Sequence, residues 1–303
     1  MTPARRAQVR PRAVTPALLR SLPLPRPDAD GDKEERGRVL VAGGSRETPG
    51  ALLLAGVAAL RAGAGKLRMA TAAGVATALA VAVPEARVVG LRETESGAVA
   101  PGAADTLVEP EESPDAVLIG PGMIDEETSG DFTRRLLAKL GGTAFVLDAA
   151  AMAWLGRWSD GLHSLGGRAV ITPHAGELAG ILGCDKEGVS ADPLSAARRA
   201  ADTLRCVVVL KGGETYVVSP SGESYRYSGG RVGLATSGSG DVLAGIIAGL
   251  AARGADPLRA ALWGVAIHGA AGNVLARRVG PLGFLARELL DEVPGAMRRL
   301  SDA

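Results

Sequence analysis

Seven short apolar runs, at residues 38–42, 66–70, 88–91, 116–119, 144–147, 169–171 and 207–210, recur along the chain with alanine-rich segments between most of them. Each run is too short for a helix and largely free of polar residues, which is the pattern of a strand covered on both faces. Strands of that kind pair in parallel, and a parallel pair needs a crossover, usually a helix, to return the chain to the same end of the sheet. The first unit shows the arrangement. Arg38-Val39-Leu40-Val41-Ala42 runs into Gly43-Gly44-Ser45, Pro49-Gly50 open a long Ala/Leu helix, and Ala62-Gly63-Ala64-Gly65 end it before the next strand. The chain is therefore expected to form an α/β fold, a three-layer α/β/α sandwich around a mostly parallel central sheet, with its chemistry beyond the carboxyl ends of the strands.

The runs at 216–219 and 223–227 flank Pro220-Ser221-Gly222 and predict an antiparallel hairpin added at one edge. Helices at 258–278 and 282–290 are expected to close one face. Residues 1–36, rich in Arg, Pro and Asp, read as an N-terminal extension draped on the core or partly disordered, with no catalytic part, and residues 37–303 as one domain.

Charge and cysteine content exclude several functions. Lys and Arg total 34 against 33 for Asp and Glu, a formal charge of +1 that gives no field for nucleic acid or an anionic membrane. The longest apolar run, 242–252, is too short to span a bilayer, and Pro23 and Pro25 interrupt the only candidate for a signal core. Cys184 and Cys206 form no Cys-x-x-Cys pair and have no His/Cys cluster around them, so neither a disulfide framework nor a zinc site is expected. A cytoplasmic protein with a small-molecule partner fits these features.

The stretch 234–250 carries the strongest chemical signal, because Gly238-Ser239-Gly240-Asp241 leads straight into an apolar helix. The first N–H groups of such a helix have no partner and point at one spot beside a partial positive charge, which makes an anion site. Glycines at 238 and 240 leave those amides open to a phosphate, and Asp241 stands where a base would take a proton from an attacking hydroxyl. Ser239 or Asp241 capping a buried helix is the alternative.

Five further clusters follow strands. Gly43-Gly44-Ser45 with Pro49-Gly50-Ala51 makes a glycine loop before a helix, and Gly120-Pro121-Gly122 makes a turn that a flat ring can approach closely. Asp148 ends an apolar strand, where it either caps the next turn or helps place a magnesium-bound water. In Thr172-Pro173-His174-Ala175-Gly176-Glu177, His174 is a donor for a substrate amide or phosphate and Glu177 an orienter of metal-bound water, or else a helix-dipole partner. Lys211-Gly212-Gly213-Glu214-Thr215 places a phosphate-seeking ammonium at the end of the most β-branched strand.

In order and in spelling these segments resemble the ADP/ATP-dependent NAD(P)H-hydrate dehydratases, a family with the ribokinase-like fold, over about residues 38–298. Pro84-Glu85 and the later Ile267-His268-Gly269 with Ala271-Gly272 extend the resemblance to packing segments. It implies an enzyme that repairs the S epimer of NADHX or NADPHX, the hydrated reduced cofactors, by phosphorylating the ring hydroxyl and expelling phosphate. The implied donor is ADP, which leaves AMP, or ATP in other members, with Mg2+. Asp241 would be the base and Gly238, Ser239 and Gly240 the phosphoryl cradle. Ala51, Gly122, His174 and Asp241 would contact the hydrated cofactor. Lys211, Gly212, Gly213, Glu214, Thr215 and Gly240 would line the nucleotide, and Glu177 and Asp148 would reach the metal through water. A homo-oligomer, a tetramer by resemblance, and a functional link to a separate NAD(P)HX epimerase are implied as well.

The chain departs from the family where Asp148-Ala149-Ala150-Ala151-Met152 stands in place of Asp-Ala-Asp-Ala-Leu. If the acid missing at Ala150 assists magnesium or substrate binding, the enzyme should be weaker or rely on Asp148 and Glu177 alone; if it is only a helix cap, the favoured reading, its loss costs about 0.5–2 kcal/mol. The alternative functions are a vitamin-precursor kinase of the same fold, which would stop at the phosphorylated product, and a nucleotide-binding regulator without turnover. The Gly43-Gly44-Ser45 loop and His174 favour the dehydratase over the first, and Asp241 favours it over the second.

Overall fold

The computed structural model describes residues 10–26, 34–107 and 113–302. The elements run β1 (Arg12–Ala13), α1 (Pro16–Ser21), β2 (Arg38–Ala42), α2 (Pro49–Arg61), β3 (Lys66–Ala72), α3 (Ala73–Ala82) and β4 (Ala86–Leu91). Then come β5 (Ala116–Ile119), α4 (Glu126–Leu137), β6 (Ala144–Leu147), β7 (Ala169–Ile171), α5 (Ala175–Leu182), α6 (Lys186–Ala191) and α7 (Pro193–Leu204). The chain ends with β8 (Val207–Leu210), β9 (Thr215–Val218), β10 (Ser224–Tyr227), α8 (Ser239–Ala252), α9 (Pro257–Arg278) and α10 (Ala286–Asp302).

Local chemistry sets many of these bounds. Pro49 opens α2 at a position where a missing N–H costs nothing. Asp125, Asp185, Asp192 and Asp256 accept from the third residue of α4, α6, α7 and α9. Gly183, left-handed at φ 63°, ends α5.

Among the described residues one ten-stranded sheet runs in the order β1-β10-β9-β8-β7-β6-β5-β2-β3-β4. Strands β2 to β8 are parallel throughout, and β9 and β10 turn antiparallel. The order reverses between β2 and β5, so a crevice opens where their carboxyl ends diverge. One apolar core packs α2, α8, α9 and α10 on one face, and a second packs α4, α5 and α7 on the other.

Two expectations need correction. The hairpin is not the edge of the sheet, because β1 from the N-terminal extension adds to β10 in parallel. Residues 10–26 of the extension lie on the core, in line with one of its two expected states: α1 buries Leu18 and Leu19, Trp263 Nε1 donates to the Leu22 carbonyl at 2.8 Å, and Arg259 and Arg253 donate to the Pro23 and Pro25 carbonyls. The last helix starts at Ala286 and passes through Pro294, whereas the sequence placed it at 282–290. Its buried stripe of Leu289, Leu290, Val293 and Ala296 continues beyond that point, so packing overrides the proline. No helix among the described residues is long and apolar enough to cross a membrane.

Helix α8 lies against α2 closely enough that a Cβ on Gly245 would fall 2.2 Å from the Ala55 carbonyl, and one on Gly249 2.4 Å from that of Ala59. Only glycine lets the two backbones approach this far. Gly245→Ala is expected to force the helices apart and cost about 1–3 kcal/mol, read as a lowered denaturation midpoint in urea.

Candidate active site

Two glycine loops meet at the crevice between β2 and β5. Gly44 N–H donates to the Pro121 carbonyl at 2.7 Å and the Thr48 hydroxyl to that of Gly122 at 2.7 Å. Gly120 and Gly122 hold φ of 126° and 68°. A Cβ on Gly120 would sit 1.8 Å from the Asp148 carbonyl, and one on Gly122 would strike the Thr48 carbonyl at 2.3 Å and Ala51 Cβ at 3.0 Å. Both turns therefore require glycine, and Ala51 and Gly122 form one small-residue surface.

Beside it, the ends of β6, β7 and β8 assemble a charged cluster. Asp148 is only 3% exposed, and its Oδ1 accepts from the Thr172 hydroxyl at 2.5 Å and the Lys211 ammonium at 3.0 Å. Lys211 N–H in turn donates to the Pro173 carbonyl at 2.8 Å, which sets β8 beside His174. Burial pulls the Lys211 ammonium down, but the carboxylates of Asp148, Glu177 and Asp241 outweigh it and hold the group above the ordinary lysine range. The ammonium lies 3.4 Å from where a Cβ on Gly240 would be, so it faces the start of α8.

The first turn of α8 carries no side-chain cap. Gly238 takes the cap position at φ 86° and supplies no side chain. The Ser239 hydroxyl, almost fully buried, lies 3.0 Å from His268 Nε2. Burial pushes His268 down to about 4, so its imidazole is neutral at physiological pH. Asp241 sits in the first turn, where burial and the neighbouring Asp148 carboxylate push it up to about 7 against the pull of Lys211 and its own N–H. A carboxylate poised there exchanges a proton near neutrality, as a general base must.

His174 caps α5. Its Nδ1 accepts from Glu177 N–H at 3.1 Å while its own N–H donates to Glu177 Oε2 at 2.7 Å. With Nδ1 engaged as acceptor, the ring proton resides on Nε2, and the side chain is 61% exposed. Glu177 thus fills the dipole-partner role and also reaches the Lys211 cluster.

A cleft of about 700 Å³ opens beside α8. Of the residues singled out from the sequence, His174, Lys211, Gly212, Gly213, Thr215, Ser239 and Gly240 line it. Glu214 turns aside to Arg226 at 3.2 Å and the Tyr216 hydroxyl at 3.1 Å. Ala51, Gly122, Asp148, Glu177, Gly238 and Asp241 lie outside its lining. Tyr227, Arg231, Leu234, Leu243, Val265 and His268 also line it and are not among the sequence-predicted site residues. His268 lies in the Ile267-His268-Gly269 packing segment and Leu234 and Leu243 in the stretch 234–250; nothing local in the sequence marks Tyr227, Arg231 or Val265. A second cleft, of about 530 Å³, is lined by residues at the amino ends of β2, β3 and β4, away from these loops.

The reading of Ala150 as a vacated cap position does not hold. The segment Ala149–Gly156 is a 3-10 helix whose cap position is Asp148, and the Asp148 side chain turns to Lys211 instead of capping. Among the described residues no group of three or more His, Cys, Asp and Glu is arranged to hold a metal ion by itself.

A mostly parallel sheet covered by helices on both faces, with a cleft beside the carboxyl ends of its strands, places the chain in the ribokinase-like fold class. The chain matches the NAD(P)H-hydrate dehydratase family over residues 39–295 and belongs to it. It is 50% identical to an ADP-dependent (S)-NAD(P)H-hydrate dehydratase of Xanthomonas campestris, covering 96% of this chain and 98% of that one. It is 40% identical to a bifunctional NAD(P)H-hydrate repair enzyme of Moorella thermoacetica over 96% of this chain, and spans 54% of that protein's length. The crystal structure of the ADP/ATP-dependent NAD(P)H-hydrate dehydratase of Bacillus subtilis, co-crystallised with ATP and Mg2+, superposes with a TM-score of 0.81 at 30% identity, covering 96% of this chain and 99% of that one.

The raised Asp241 gives a stability test. The fold favours its protonated form, so its contribution is complete below the unfolded value of about 3.9 and is lost as pH rises through about 7. Asp241→Asn is expected to gain stability relative to the parent across that window, read as denaturation midpoints at successive pH values.

Proposed function

We propose that the protein dehydrates the S epimer of NADHX or NADPHX to the reduced cofactor, with ADP as phosphoryl donor. The observation that carries the proposal is the placement of Asp241, poised near neutrality, in the first turn of a helix whose glycine-opened amides form an anion hole.

The steps balance as two transfers. Asp241 takes the proton of the ring hydroxyl while its oxygen attacks the terminal phosphorus of ADP, forming a phosphate ester and releasing AMP. The ester's C–O bond then breaks, phosphate departs with the bonding pair, and the ring nitrogen's lone pair restores the double-bond system of NADH or NADPH once the adjacent carbon loses a proton. The N–H groups of Gly238 and Gly240 hold charge on the transferring phosphoryl group, where one such donor is worth about 10²–10³ in rate, whereas that of Ser239 donates to the Thr236 carbonyl and that of Asp241 serves its own carboxylate. Lys211 stands at the same point, its position fixed by Asp148.

Ala51 and Gly122 supply the small surface against which the ring rests, and His174, its Nε2 3.6 Å from Glu177 Oε1, lines the cleft beside it. The carboxylates of Asp148 and Glu177 are hard oxygen donors that suit a hydrated Mg2+ shared with nucleotide phosphates, as that ion prefers. When bound, the ion neutralises phosphate charge. A cytoplasmic homo-oligomer working alongside a separate epimerase completes the proposal, since the R epimer must be converted before this site can use it.

The test is the recovery of reduced-nicotinamide absorbance when purified protein meets NADHX with Mg2+ and either ADP or ATP. Recovery that requires ADP supports the proposal; phosphorylated substrate accumulating without recovery would place the protein among the kinases. Asp241→Asn is expected to reduce turnover by about 10²–10⁴ while the affinity for ADP stays within a few-fold of the parent's.

A further inference from the structure

We propose that Arg231 receives the phosphate chain of the adenine nucleotide, and that Asn273 is built to present it. This rests on the reading of the 700 Å³ cleft as the adenine-nucleotide site.

Among the described residues, Lys211 and Arg231 are the only Lys or Arg side chains lining the cleft, and no carboxylate lines it. Lys211 is committed: it bonds Asp148 at 3.0 Å and feels Glu177 and Asp241. A nucleoside diphosphate entering this cleft therefore brings several negative charges to walls whose one uncommitted cation, among the described residues, is Arg231.

The anchoring of Arg231 is of the kind that leaves its charge available. Its Nε donates to Asn273 Oδ1 at 2.9 Å, and the Asn273 Nδ2 donates to the Gly229 carbonyl at 2.8 Å. Asn273, on α9, thus grips the segment after β10 at two points, using both halves of its amide. A neutral amide fixes the guanidinium without cancelling its charge, whereas an aspartate at 273 would accept from Arg231 as an ion pair and would have no hydrogen to give Gly229. The Nη atoms of Arg231 make no hydrogen bond to any described residue, and two parallel N–H groups on an exposed, anchored guanidinium match the geometry of a phosphate.

The experiment measures dissociation constants for ADP and for adenosine by calorimetry on the full-length parent, Arg231→Met, Arg231→Lys and Asn273→Asp, with thermal midpoints taken without ligand. Arg231→Met is expected to weaken ADP about tenfold to a hundredfold and leave adenosine unchanged. Arg231→Lys should recover part of the loss, because it restores charge but not the fork. Asn273→Asp should weaken ADP in the same direction with the guanidinium still present, and it carries the test if Arg231→Met does not fold. An ADP affinity unchanged in both Arg231→Met and Asn273→Asp, or equal losses for ADP and adenosine, would overturn the inference alone. Failure of the parent to bind ADP at all would overturn the nucleotide reading of the cleft, and the inference with it.

Discussion

The approach of α8 to α2 through Gly245 and Gly249 is the contact on which the rest of the site depends. Backbone meets backbone there, so α8 has little freedom to slide or tilt, and its N-terminus is held beside the β2–β5 crevice. The loops that follow β2 and β5 are themselves bonded to each other, Gly44 to Pro121 and Thr48 to Gly122. An anion hole, a small-residue platform and a strand-end ion cluster are therefore fixed relative to one another by main-chain contacts, which suits a reaction that relies on positioning and charge stabilisation.

Electrostatically the cluster works by unequal pairing of like charges. Asp148 is buried and accepts from Lys211 and the Thr172 hydroxyl. Asp241 has no such partner and carries the cost of burial together with the repulsion from Asp148, which is why its proton is held up to about 7. Lys211 serves two sides at once, neutralising Asp148 while presenting its ammonium to the start of α8. His268 plays a quieter part, remaining neutral against the Ser239 hydroxyl and adding no charge to the hole.

Much of this was legible in the sequence because buried parallel strands leave an unambiguous trace. The runs at 116–119, 144–147, 169–171 and 207–210 coincide with β5, β6, β7 and β8, and the glycine and acid clusters after them fall at one end of the sheet. What escaped notice depends on distant partners. Strand β1 has two residues and exists only because β10 offers an edge, and α10 runs through Pro294 because its apolar stripe is buried beyond it. Arg231 enters the site through Asn273, 42 residues later in the chain, and no local spacing marks that pairing. Position 150 looked like a helix cap because Asp-Ala-Asp reads as one, but the chain turns into a 3-10 helix one residue after β6 and leaves Asp148 to Lys211.

The claim most central to this account is that the ring hydroxyl attacks phosphorus, with Asp241 as its base, before any C–O bond breaks. Preparing NADHX with 18O in that hydroxyl and following the label by mass spectrometry through a single turnover with ADP tests it directly. The account predicts that the label leaves in inorganic phosphate. Label appearing in water, with unlabelled phosphate, would mean that hydroxide departs without being phosphorylated, and the phosphoryl-transfer role assigned to Asp241 and the α8 amides would be wrong.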